Sequence, residues 1–170
     1  METQERREKL LTMLKAASKP LTGTALAREL GVSRQIIVGD IAILRAAGVA
    51  VYATPQGYML PAEFSTALQA TIACHHNRDD LEKELAVIID NGGKIRDVIV
   101  EHPLYGEISA NLMLSSRREL TDFLTRLDES GASPLSVVTG GVHIHTIEAP
   151  NEKVLANIQA ELKALGILLK

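Results

Sequence analysis

Residues 22–60 read TGTALARELGVSRQIIVGDIAILRAAGVAVYATPQGYML, and this stretch decides the fold of the first part of the chain. Thr22 or Thr24 is suited to cap a short helix in which Ala25, Leu26 and Leu30 face inward. Gly31 follows Leu30 and suits the left-handed position at a helix end. Ser33 is a good cap for the next helix, in which Ile37, Ile41 and Leu44 recur at i, i+4 and i+7 as an inward stripe. Gly48 ends that helix. VAVYATPQGYML then alternates around Pro55-Gln56-Gly57, the pattern of a β-hairpin.

Before this stretch, residues 2–17 form a helix with Leu10, Leu11 and Leu14 on one side, ended by Lys19-Pro20. A helix, a closely spaced helix pair and a hairpin follow one another in the order of a winged helix-turn-helix. In that architecture the third helix enters the DNA major groove with its first turn leading. Ser33, Arg34 and Gln35 occupy that turn and Val38 follows one turn later. Arg reads a guanine edge bidentately and Gln an adenine edge. The hairpin, with Tyr52 and Gln56, is the expected wing against the backbone or minor groove. The bland alternative is a structural three-helix unit or a protein-interaction module of the same fold.

Pro61-Ala62-Glu63 marks the joint, so residues 1–62 are expected as a winged helix-turn-helix DNA-binding domain and 63–170 as a second domain. The second part mixes strand patterns (66–76, 95–102, 106–114) with helix patterns (79–90, about 115–130, and from 152 onward). LSVVT (135–139) and VHIHTIEA (142–149), joined by Gly140-Gly141, are expected as a second hairpin. This order predicts an α+β domain, an antiparallel sheet with helices on one face.

The chemistry sits in the second domain. His143-Ile144-His145 places two imidazoles on one face of a strand, within reach of one ion. Neutral imidazole suits Zn, Ni, Fe or Cu, but two ligands need partners from elsewhere. His75, His76 and His102 stand at predicted strand ends, and Glu82 and Glu84 lie on the following helix. His75 and His76 cannot both serve unless the strand ends there, because neighbouring strand residues face opposite ways. Exposed histidine pairs on strand edges also arise by chance. All five histidines fall in this domain, however. Cys74 reads as a buried strand residue rather than a ligand or nucleophile.

Composition agrees with a soluble globular chain: of 170 residues, 46% are hydrophobic and 23% charged, and Trp is absent. The net charge of −3 does not point to nucleic acid, but residues 1–60 carry +3 and residues 61–170 carry −6. A single cysteine excludes an intramolecular disulfide. The charged METQERREKL start and the lack of 18 uninterrupted apolar residues lead to the expectation of a cytoplasmic protein with no membrane partner.

The helix-turn-helix stretch and VYATPQGYML, with NGGKIRDVIVEHPLYGEI and GGVHIHTIEAP in the second domain, resemble the niacin-responsive transcriptional repressors, the NiaR family. The second-domain motifs are much more specific than the helix-turn-helix. The resemblance implies a DNA-binding repressor of nicotinate uptake or NAD biosynthesis genes, with nicotinic acid as co-repressor. It also implies a homodimer on a palindromic double-stranded operator and a divalent transition metal, Ni or Zn. Carried over residue by residue, the metal ligands fall on His76, Glu84, His143 and His145. His76 is preferred to His75 because it stands eight residues before the Glu of Glu84-Leu85. His102, in the EHP motif, falls in the effector site, and Tyr105 is a candidate wall for the effector ring.

Competing readings are a regulator that senses the metal itself, the same architecture answering another small carboxylate, and a metal-dependent hydrolase with a DNA-binding appendage. No G-x-S-x-G, H-E-x-x-H or P-loop supports an enzyme. Glu101 or Glu107 as a general base has no spacing argument behind it.

Overall fold

The computed structural model describes residues 2–61 and 66–170. Contacts divide the chain into two compact units, Met1–Phe64 and Ser65–Lys170. Ala62 and Glu63 of the expected joint lie outside the described residues.

The first unit is built from α1 (Thr3–Ala16), α2 (Gly23–Leu30), α3 (Arg34–Ala46) and a two-stranded antiparallel hairpin, β1 (Tyr52–Thr54) with β2 (Gly57–Met59). Thr22 and Ser33 each accept a backbone N–H of the following helix, from Ala25 and Ile36. Gly31 takes φ +65° between the two helices. Leu10 and Leu14 of α1 pack with Leu26, Ala27 and Leu30 of α2 and with Ile37, Ile41 and Leu44 of α3. Ala27, not Ala25, faces the core, because the buried stripe of α2 runs one residue further round. Gly57 opens β2 rather than belonging to the turn. At φ +133° its Cα lies so close to Leu21 that a Cβ would sit 2.5 Å from the Leu21 carbonyl. That approach lets Leu21 and Tyr58 exchange both backbone hydrogen bonds and tie the hairpin to the helical body.

The second unit carries β3 (Leu68–His75), α4 (Leu81–Asp90), β4 (Lys94–His102), β5 (Gly106–Leu114), α5 (Arg117–Ser130), β6 (Val142–Ala149) and α6 (Glu152–Ala164). The four strands form an antiparallel sheet in the order β3-β6-β4-β5. Its buried side chains, Ile72, Ile95, Leu114 and Ile147 among them, meet Leu85 and Ile88 of α4, Leu120 of α5, and Ile158 and Leu162 of α6. Ser116 and Glu119 close α5 with a reciprocal capping box. Asn77, rather than Asp79 or Asp80, caps the 3-10 turn Arg78–Asp80 that leads into α4.

The second hairpin expected over 135–149 is corrected. Leu135–Thr139 is a 3-10 helix, and β6 pairs with β3 and β4 instead. Val137 and Val138, which suggested a strand, are exposed. Gly140 and Gly141, at φ +63° and +103°, turn the chain before β6. β6 is therefore interior to the sheet, and His143 and His145 are not on an edge.

Candidate metal centre

β6 sends alternate residues to the helix-covered face, so His143 and His145 project together into the interior, at 3% and 2% exposure. Their ring centroids are 4.8 Å apart. β3 ends at His75, and the chain turns there. His75 stays exposed and contacts the Gly140 carbonyl, while His76 is buried with its ring centroid 4.8 Å from that of His143. His76 continues the inward alternation of Ile72 and Cys74, which settles which of the adjacent pair faces inward. From the first turn of α4, Glu84 points into the same space and is fully buried, whereas Glu82 is exposed.

Three imidazoles converge on this one carboxylate. His76 Nε2 lies 2.6 Å from Glu84 Oε2 and His143 Nε2 lies 2.8 Å from Oε1. His145 Nε2 comes within 3.4 Å of Oε1 but has no aligned hydrogen bond, and it is a buried nitrogen without a partner. The other ring nitrogens all face backbone carbonyls: His76 Nδ1 to Asn77, His143 Nδ1 to Gly141 and His145 Nδ1 to Asp97, at 2.6–2.8 Å. Each Nδ1 therefore holds an N–H that donates outward, which turns the Nε2 lone pair toward Glu84. A register shift between β4 and β6, between Ile95 and Ile99, accompanies the use of the Asp97 carbonyl by His145.

Lone pairs facing a carboxylate repel unless a proton or a cation lies between them. Burial alone would raise the Glu84 carboxyl, but the imidazoles of His143, His145 and His76 hold it far below the usual carboxylate range. Burial would lower His145 and His76, and the Glu84 carboxylate reverses that and raises both. The donor set, three imidazole nitrogens oriented by backbone carbonyls and one carboxylate, fits a divalent transition metal. The orphaned His145 nitrogen is the direct sign of that fit.

Cys74 is a fully buried residue of β3, paired across the ladder with His143. The donor atoms of Cys74, Glu84 and His143 lie within 4.8 Å of one another. Burial, with Glu84 beside it, pushes the Cys74 thiol well above its usual range, so it stays protonated. Gly141 is needed for closure, since a Cβ there would collide with the His76 carbonyl. Neither Gly141 nor Asp97 stands out in the sequence, because both act through backbone geometry.

His102 and Tyr105 are not brought to this cluster. They sit at the β4–β5 turn, where His102 Nδ1 accepts the backbone N–H groups of Leu104 and Tyr105. Tyr105 is 73% exposed. His102 is five residues along β4 from Asp97, roughly 16 Å at the rise of a strand.

In the first unit Ser33, Arg34 and Gln35 are exposed at the start of α3, and Val38 is half-buried one turn on. Tyr52 is half-buried on β1, opposite Met59. Gln56 is turned into the hairpin, its Oε1 accepting from Thr54 Oγ1 at 3.1 Å. A feature the sequence reading missed is Asp40, buried on α3 and paired with Arg6 at 2.6 Å and Arg7 at 3.0 Å from α1.

The 3H domain family matches residues 69–170 and an HTH domain matches residues 6–59. The probable transcription repressor NiaR of Thermotoga maritima is 42% identical over 167 residues, covering 98% of this chain and 95% of that protein. The transcription repressor NadR of Bacillus subtilis is 40% identical over 168 residues, covering 97% and 93%. Neither relative is named as an enzyme.

Proposed function

The chain belongs to the family of NiaR/NadR-type transcription repressors with an HTH domain and a 3H domain, and from that membership we propose that nicotinic acid is its co-repressor. A divalent metal, Ni or Zn, completes the effector domain, held by His76, Glu84, His143 and His145. When bound, that ion supplies the positive charge that three neutral imidazoles cannot give Glu84, and an open position for an effector donor. Domain 1–62 reads DNA and domain 63–170 carries the metal and effector. Ser33, Arg34, Gln35 and Val38 face the major groove, and the hairpin that carries Tyr52 and Gln56 lies against the backbone. The protein acts as a cytoplasmic homodimer on a palindromic operator of genes for nicotinate uptake or NAD biosynthesis.

The observation that carries this reading is the buried, unpartnered Nε2 of His145 beside Glu84, in a domain joined to a DNA-binding helix-turn-helix. Effector binding selects the dimer geometry whose recognition helices lie about one duplex turn apart. Operator DNA should in return tighten effector binding.

The test is fluorescence anisotropy on the chain's own upstream DNA, with metal-loaded and chelated protein, with and without nicotinate. Nicotinate should tighten DNA binding, and chelation should abolish the gain. The buried donor set also supports a second reading, in which the metal is itself the signal. DNA binding that rises with metal alone and ignores nicotinate would favour it over the co-repressor reading. A gain from another small carboxylate and none from nicotinate would keep the architecture and change the effector.

A further inference from the structure

The outward face of α3 is built from small and apolar residues around one amide. Gln35, Gly39, Ala42 and Ala46 follow one another at helical spacing opposite the buried stripe of Ile37, Ile41 and Leu44, and all four are exposed. Ile36 and Ile43 flank them on one side, at 41% and 48% exposure. The two arginines of the helix are drawn to the other flank. Arg45 donates from Nε to the Val51 carbonyl at 2.8 Å, at the entry to the hairpin. Arg34 lies over Gly23, where a Cβ would meet its Cγ, its Nε and the Tyr58 ring at 3.5 Å each. Among the described residues of α3, Gln35 is therefore the side chain on this face that can make a paired hydrogen bond to a base edge.

Gly39 stands at the middle of the face, inside the helix. A Cβ there would meet no described atom within 4 Å. Glycine in a helix interior is unfavourable next to alanine, and the first unit has room for alanine at this position. The constraint that a bare backbone satisfies therefore lies outside the chain. Glycine lets a backbone come close to a ligand.

In the major groove guanine presents two acceptors and cytosine a donor, which call for Arg or Lys and for a carboxylate. Adenine pairs with Gln through N6 and N7, and thymine presents a C5 methyl that apolar side chains cover. The face matches the second pair. Resting on the DNA-binding reading above, we propose that α3 reads A·T pairs in the operator half-site, with Gln35 on an adenine edge and Ile36, Ala42 and Ile43 against thymine methyls, at a close backbone approach that Gly39 permits. Arg34 serves the phosphate backbone at the edge of the groove rather than a guanine, and so adds affinity without sequence preference.

The experiment is uracil interference on the chain's own upstream DNA. Thymines are replaced at random by uracil, which lacks the C5 methyl, and duplexes bound by the full-length chain are compared with unbound ones. It is run under the conditions of tightest binding in the anisotropy assay above, on wild type, Ile43→Ala, Gly39→Ala and Arg34→Ala. Wild type should lose about fourfold in affinity at each contacted thymine, and Ile43→Ala should become insensitive to at least one of those positions. Gly39→Ala should raise the unfolding midpoint of the first unit by about 4 °C and weaken operator binding by about tenfold, a firmer fold that binds less well. Arg34→Ala should weaken binding to upstream and scrambled DNA alike and lower the salt slope by about one. If wild type prefers the upstream DNA but no uracil position matters, thymine reading is overturned and the DNA-binding reading survives. If Gly39→Ala binds as tightly as wild type, the close approach is overturned. A change of preference at a G·C pair in Arg34→Ala would make Arg34 a base reader and overturn its place on the phosphates. If wild type does not distinguish upstream from scrambled DNA, the operator reading itself fails and thymine reading falls with it.

Discussion

Asp40 and Glu84 are two carboxylates buried to nearly the same extent, at 2% and 0% exposure, and they are neutralised in opposite ways. Asp40, on the inner side of α3, meets two guanidinium groups of α1. Arginine stays charged at every accessible pH, so that charge balance is permanent and complete within the chain. Glu84 meets three imidazoles whose N–H groups are directed away to backbone carbonyls. Its balance depends on protons or a cation from outside. Burial therefore does not distinguish a site from a structural pair, but the identity of the partners does. One carboxylate locks a helix onto the recognition helix, and the other is balanced only through protons or a cation.

That contrast is open to direct attack. The largest expected effect is chelation. Removing the metal should lower the stability of the second unit by about 4 kcal/mol from a state saturated at 1,000 times the Kd, and leave the first unit unchanged. Separate unfolding of the two units, followed by hydrogen exchange with and without chelator, checks it. His145→Ala should weaken metal binding by about 100-fold or more, read by competition with a chromophoric chelator. Asp40→Ala should do the converse. It leaves Arg6 and Arg7 facing an apolar gap, costs the first unit about 2 kcal/mol, and does not change metal affinity. Gly141→Ala, forcing a Cβ against the His76 carbonyl, should lower metal affinity by about tenfold while the first unit's exchange rates stay constant.

Acid gives the smallest effect and a sign. Burial would raise the Asp40 carboxyl, and the hydrogen bonds from Arg6 and Arg7 outweigh burial and lower it. A lowered native pKa means the pair stabilises the fold above the ordinary value of 3.8. That stability is lost as pH falls below 3.8 through the native value. Exchange at Ile37 and Leu44 should therefore accelerate only below about pH 4, and Asp40→Asn should flatten that dependence.

The helix-turn-helix was legible almost to the residue, because its signals are local. Thr22, Gly31 and Ser33 do at helix ends what their side chains and φ preferences dictate. The first carboxylate was equally available and was overlooked. Asp40 interrupts the stripe of Ile37, Ile41 and Leu44, and a charged residue on an inward stripe calls for a partner. In the second domain His143 and His145 were legible from the period of a strand. The meeting of β6 with β3 was not, since pairing between segments nearly 70 residues apart leaves no local pattern. His76 and Glu84 came through resemblance alone, because His75 and Glu82 are identical in type and only the phase of β3, with Ile72 and Cys74 inward, and the buried side of α4 separate them. Leu135–Thr139 misled because the β-branched run of Val137, Val138 and Thr139 favours a strand. Here two glycines at positive φ, and the need to bring Gly141 against His76, override that preference.

The central claim is that Glu84 and its three imidazoles hold a divalent metal, and metal stoichiometry tests it most directly. Wild-type, His145→Ala and Asp40→Ala chains would be dialysed against limiting Ni or Zn and measured by plasma mass spectrometry. One ion per chain in wild type and Asp40→Ala, with little or none in His145→Ala, is the predicted result. A wild-type chain that retains no ion, or a His145→Ala chain that retains a full equivalent, would contradict it.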